Sequence, residues 1–97
     1  TRTIAFLGFA LAKSGKQQEA RAELERLIKL SAERWVSPYN VAMIYNGLGE
    51  REETLRWLAL GIEQRDPRVT FLKVEPKWNN LRQDARFIDL MRRINLE

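Results

Sequence analysis

The chain has 97 residues, 44% hydrophobic and 31% charged, a composition that fits one soluble globular domain built on one core. It contains no cysteine and no histidine, which excludes disulfides and thiol catalysis and removes the commonest general base and metal ligand. The formal charge of +4 is unevenly spread: residues 1–64 are nearly balanced, and residues 65–97 carry eight basic against five acidic side chains.

No apolar run approaches the ~20 residues of a membrane helix, and Thr1-Arg2-Thr3 does not open a secretory signal, so a cytoplasmic location without a membrane partner is expected. The helical pattern is under way by Ile4 without an initiator Met, which reads as a piece of a longer chain.

Ile4, Leu7, Gly8 and Leu11 recur at i, i+3, i+4 and i+7, which predicts a helix over about 3–14 with this face turned to the core. Ser14-Gly15 ends it, the glycine supplying a left-handed residue. A second helix over about 16–30 buries Ala20, Leu24, Leu27 and Ile28. Ser37-Pro38 then gives a hydroxyl N-cap followed by proline at the first helical position, opening a third helix over about 38–48 that Gly49 stops. A fourth, over about 51–64, packs Leu55, Leu58, Ala59 and Ile62 before Asp66-Pro67.

The order of elements repeats. Gly15 and Gly49 stand 34 residues apart, and the same shift lays Leu24 on Leu58, Leu11 on Tyr45 and Gly8 on Ala42. Beyond Pro67 the repeat fails. Val69, Phe71, Leu72 and Val74 predict a short helix, since a lone strand would have no partner; Trp78 and Leu81 anchor a turn; Asp84 caps a last helix over about 84–94 that turns Phe87, Met91 and Ile94 inward.

With Leu7-Gly8-x-x-Leu11 followed by Ala20-x-x-x-Leu24, and Ala42-x-x-Tyr45 followed by Thr54-x-x-x-Leu58 and Pro67, the chain resembles the tetratricopeptide repeat family, whose period is also 34. Ile4 and Pro38 stand where that family has an aromatic residue, and Thr54 where it has alanine. The stretch Glu75-Pro76-x-Trp78-x-x-Leu81-Arg82-x-Asp84-x-Arg86-Phe87 resembles the tail that ends such arrays in bacterial and archaeal signalling or regulatory proteins. The resemblance implies an all-α solenoid of two helical hairpins, repeat 1 in residues 1–34 and repeat 2 in 35–68, with a capping tail in 69–97.

It also implies that the first helix of each hairpin lines a concave face. Arg2, Ala5, Phe9, Ala12 and Lys13 fall there in the first unit, and Val36, Tyr39, Met43 and Asn46 in the second. The spacing within each set makes a second stripe on the helix, apart from the Leu7/Leu11 and Ala42/Tyr45 stripes. That face either receives a partner or packs against the tail. The expected partner site is Phe9, Lys13, Tyr39, Met43 and Asn46, taking an apolar or amphipathic protein or peptide segment whose backbone Asn46 holds. Self-association and nucleic-acid binding through Arg82, Arg86, Arg92 and Arg93 are the alternatives.

Catalytic readings find little footing. Gly47-Leu48-Gly49 ends a helix and lacks the third glycine and Lys-Ser/Thr pair of a phosphate loop. Glu52-Glu53 and Glu23-x-Glu25 do not face one another on a helix, and Ser14, Ser31 and Ser37 have no basic partner. The expectation is a non-catalytic interaction scaffold without cofactor, metal or small-molecule substrate.

Overall fold

A carboxylate at position 66 organises the middle of the chain, and the elements around it explain why. The computed structural model describes residues 2–73 and 75–96, and the side chains of residues 3–73 and 75–94. Val74 and the Arg2 side chain, both named from the sequence, lie outside them. The described residues form five α-helices, α1 (Arg2–Lys13), α2 (Gln17–Ser31), α3 (Pro38–Leu48), α4 (Arg51–Glu63) and α5 (Ala85–Leu96), with two 3₁₀ segments, η1 (Pro67–Lys73) and η2 (Pro76–Leu81), before the last. The protein is all-helical, and the four paired helices begin and end within a residue of the expected bounds.

Helix ends follow from local chemistry. Gly15 and Gly49 take φ of 83° and 80° after α1 and α3, and the amides that follow bond back to the last turn, Lys16 to Leu11 and Glu50 to Tyr45. Arg65 does the same after α4 with φ 58°, a conformation unusual for a side chain with a Cβ. It is held there by the bond from the Asp66 amide to the Gly61 carbonyl at 2.8 Å.

The turn at Arg65 drives Asp66 inward, where it is 1% exposed. Ser37 was expected to cap α3 with its own hydroxyl; instead its Oγ donates to Asp66 Oδ2, and the same oxygen accepts from the Tyr39 amide at 3.2 Å. Asp66 Oδ1 accepts from the Arg68 amide at 3.0 Å and starts η1. A single carboxylate thus caps α3 from across the chain and fixes the turn between α4 and η1.

α1 packs on both α2 and α3, and α3 also on α4. The close face of α1 is small: Ala5, Gly8 and Ala12 are buried. A Cβ at Gly8 would lie 2.8 Å from Ile44 Cδ1, and one at Gly47 would lie 3.0 Å from Ala12 Cβ, so each helix contributes a glycine to the crossing. This corrects the stripe read from the sequence. Leu7, expected in the core, is 46% exposed, and Ala5 and Ala12, assigned to the concave face, are in the core. Where two backbones come this near, the small residues take the contact and Leu7 is rotated out.

The tail does not extend the pairing of helices. Pro67–Lys73 winds as a 3₁₀ helix that buries Val69 and Leu72, and Pro76–Leu81 winds as another that buries Trp78 and Leu81. Arg82 joins them, donating to the carbonyls of Leu72 and Glu75, each at 2.9 Å. Asp84 caps α5 by accepting from the Arg86 amide at 2.8 Å, and α5 lays Phe87 and Leu90 against α4 and η1.

Two outcomes check this account. Asp66→Ala strands the Ser37 hydroxyl and two backbone amides at once and is expected to destabilise by roughly 2–4 kcal/mol in urea denaturation; a loss below ~1 kcal/mol would remove the carboxylate from its organising role. Gly8→Ala gains helix propensity but overpacks against Ile44, for a net loss of about 1 kcal/mol. Added Ile44→Val should recover part of that loss, so additive costs in the double-mutant cycle would place the tight crossing elsewhere.

Candidate functional site

The second stripe on α3 is buried under the chain's own tail. Tyr39 and Met43 are each 2% exposed and Asn46 is 7% exposed. Asn46 does hold a backbone, as its residue type suggested, but an internal one: its Nδ2 donates to the Lys77 carbonyl at 2.7 Å, and its Oδ1 accepts from Asn80 Nδ2 at 2.8 Å. Trp78 is fully buried beside Tyr39, with ring centroids 5.3 Å apart and Trp78 Nε1 donating to the Tyr39 hydroxyl at 2.9 Å. Of the two occupants left open by the sequence, the tail takes this part of the face.

Lys77 closes the arrangement. Its ammonium lies 4.9 Å from the Phe6 ring centroid and 5.5 Å from that of Phe9, with Met43 Sδ at 3.8 Å and Glu75 Oε2 at 3.4 Å. Aromatic faces and one carboxylate compensate the cation where only 12% of the side chain meets solvent. Phe9 is half-buried by this contact, and Lys13 is exposed, 6.0 Å from the Phe9 ring. The five expected residues are therefore split: Asn46 serves the tail, Tyr39 and Met43 form a wall, and Phe9 and Lys13 stay at the surface.

Beside the wall a cleft of about 360 Å³ opens between α1, α3 and η1. Tyr39, Met43 and Asn40 line it from α3, Phe6 from α1, and Pro67, Arg68 and Phe71 from η1, with Glu75 at one side. Phe6 and Phe71 are 44% and 49% exposed, and Phe71 meets Tyr39 edge-on at 6.3 Å. Among the described residues Asn40 Nδ2 is the buried side-chain nitrogen left without a hydrogen-bond partner, although Asn40 is only 2% exposed.

None of Phe6, Asn40, Arg68, Phe71 and Glu75 was among the site residues expected from the sequence. One signal was available: Phe6 and Asn40 stand 34 residues apart, at the same register of the two units, and face the same cleft. Nothing local marked Arg68, Phe71 or Glu75 as cleft residues, because η1 is brought to α3 by distant contacts, the Asp66 carboxylate and the Phe71–Tyr39 ring pair among them. Trp35, by contrast, is 57% exposed on another surface, where its Nε1 donates to Gln64.

The basic tail is partly committed to the fold. Arg82 gives its donors to backbone carbonyls and Asn79, and Arg86, though exposed, pairs with Glu52 at 2.5 Å and Asp84 at 3.3 Å; Arg92 and Arg93 are exposed as well. Among the described residues no group of three acidic side chains gathers to hold a metal, and no helix is long and apolar enough to cross a membrane.

No family model matches the chain, and no curated protein or solved structure matches it either.

Burial pushes the Tyr39 phenol up to about 12 from its ordinary 10.0; the bond from Trp78 acts the other way, and the Glu75 carboxylate adds to the rise. The folded value lies above the unfolded one, so the neutral phenol's contribution is intact below about pH 10 and lost as pH rises toward about 12. Tyr39→Phe leaves the buried Trp78 N–H without its acceptor and should cost roughly 1–3 kcal/mol at pH 8. The gap between wild type and variant should then narrow from pH 10 to 12 in urea denaturation, and a gap independent of pH would refute this environment for Tyr39.

Proposed function

We propose that the chain is a non-catalytic protein interaction scaffold of the tetratricopeptide repeat type, which binds a segment of a partner protein in the cleft between α1, α3 and η1. The repeat reading is supported by two helix pairs in the same order, each with a first helix ended by a left-handed glycine 34 residues from the other. The tail completes the domain by covering Tyr39, Met43 and Asn46, which leaves the adjoining cleft as the place where a partner can still be received.

The observation that carries the reading is the pair of half-exposed phenylalanines, Phe6 and Phe71, facing a concave site. Burying a large apolar side chain fully is worth about 1.5–3 kcal/mol, so covering the remaining half of each supplies about 1 kcal/mol apiece. Two such contacts at a concave site form an anchor, whereas scattered exposed apolar residues on a convex surface do not.

Peptide display selection against the immobilised chain, followed by affinity measurement on the enriched peptides, tests this. Enriched peptides are expected to bind wild type and to weaken at least tenfold in a Phe6→Ala/Phe71→Ala variant that keeps its helical circular dichroism. Failure to enrich any peptide, or equal binding by the folded variant, would rule the cleft out as the partner site.

A further inference from the structure

We infer that the outer face of α1 seats a further helix pair of the 34-residue kind, joined ahead of α1 and set against it as α1 and α2 are set against α3. This rests on the repeat reading of the scaffold and adds a second interaction surface, apart from the cleft.

The two units show one surface in a covered and an open form. α3 packs against both α1 and α2. Gly8 faces Ile44, and Gly47 faces Ala12 and Phe9, so the side of α3 turned to the first unit runs through Val41, Ile44, Gly47 and Leu48, at i, i+3, i+6 and i+7. Val41, Ile44 and Leu48 are buried. Thirty-four residues earlier the same positions hold Leu7, Ala10, Lys13 and Ser14, and all four are exposed, Leu7 by 46%.

The composition of this face is that of a packing surface. Leu7 keeps the apolar character of Val41, Ala10 stands one turn on, and α1 carries no acidic side chain. A helix side made for water carries charged residues. The last helix shows the contrast, since α5 exposes Arg86, Asp89, Arg92 and Arg93 around Ile88.

Side-chain size sets what the occupant presents. Toward α3, α1 offers glycine at position 8 to the large Ile44, and alanine at position 12 to the missing side chain of Gly47. On the outer face of α1 the sizes are reversed, with Ala10 in place of Ile44 and Lys13 in place of Gly47. A helix packing there at the same distance therefore carries a side chain where α1 has Gly8, filling the space over Ala10, and glycine where α1 has Ala12, leaving room for the Lys13 Cβ. A second copy of this chain fits poorly. Its small stripe, Ala5, Gly8 and Ala12, is already buried, so it could bring only the same outer face, and with it a second Lys13 and no acidic side chain.

A copy of residues 1–34 that carries Gly8→Ala and Ala12→Gly, joined ahead of Thr1 of the full chain, tests this. The join keeps the period, because Arg34 of the copy meets Thr1 where Arg34 of the chain meets Trp35. The chain has no cysteine, so Leu7→Cys in the original unit is a single thiol reporter of cover at this face. Its labelling by a maleimide should be at least tenfold slower in the extended chain than in the 97-residue chain. Ile88→Cys, on α5, should label at the same rate in both. A copy without the two exchanges should protect Leu7→Cys less, since it leaves space over Ala10 and crowds Lys13.

Equal labelling of Leu7→Cys in the two chains overturns the inference, whether the added copy is helical by circular dichroism or stays unfolded, because the face is expected to fold it. Equal protection by the unexchanged copy overturns the size matching that defines the occupant. Labelling in the 97-residue chain that slows as protein concentration rises would give the face to a second copy instead. If the added pair leaves the face open while display-selected peptides still bind, the stacking surface falls and the cleft stands; a protected face in a chain that captures no peptide gives the reverse.

Discussion

The Asp66 carboxylate is the constraint on which the rest of the structure depends. Taking a charge out of water is costly unless hydrogen bonds replace the lost hydration, and here the Ser37 hydroxyl and the amides of Tyr39 and Arg68 replace it. Those partners belong to the start of α3 and the start of η1, and Asp66 itself follows α4. Satisfying one buried charge therefore sets where η1 leaves α4 and which side of α3 it covers. Everything built from the tail on α3 inherits that position: the Trp78 bond to Tyr39, the grip of Asn46 on Lys77, and the cleft.

A second constraint comes from the crossing of α1 and α3. Glycine on both helices lets the backbones approach until side chains of one meet the helix surface of the other, Ile44 over Gly8 and Phe9 with Ala12 over Gly47. This tight contact rotates Phe6 and Leu7 toward solvent, at 44% and 46% exposure. Phe6 then meets the Lys77 ammonium and lines the cleft. The surface proposed to receive a partner is thus a by-product of a packing solution: it is built on residues too large for the crossing.

The tail plays two roles that are physically distinct. Trp78, Leu81, Phe87 and Leu90 close the core and are all buried, so the tail belongs to the fold. Phe71, Arg68 and Glu75 stand where that closure is incomplete and give the remaining cleft its chemistry. Filling the face next to Asn46 while leaving the face next to Asn40 open converts an extended stripe into a bounded site.

Much of the fold was legible in the sequence because its signals are local. Apolar spacing, Gly15, Gly49 and the Ser37-Pro38 step act within a turn or two of the chain, and they place the four paired helices within a residue of where the structure has them. Residue type also told that Trp78 and Leu81 would be anchors, whereas Asn46, expected to bond a partner's backbone, bonds that of Lys77. What the sequence could not decide was which stripe of α1 would face inward. Leu7 was the better core residue by hydrophobicity, and only the α1–α3 separation made Ala5 and Ala12 the ones that fit. Likewise, nothing within a few residues of Asn40 marks it as a donor without a partner; that depends on what η1 brings or fails to bring, through a carboxylate 26 residues further along the chain. The sequence by itself determined the helices, their ends and their pairing order, since those follow from nearest neighbours. The tertiary structure alone decided which face is covered and which is open, since that is set by the distance between backbones and by the partners that a buried charge requires.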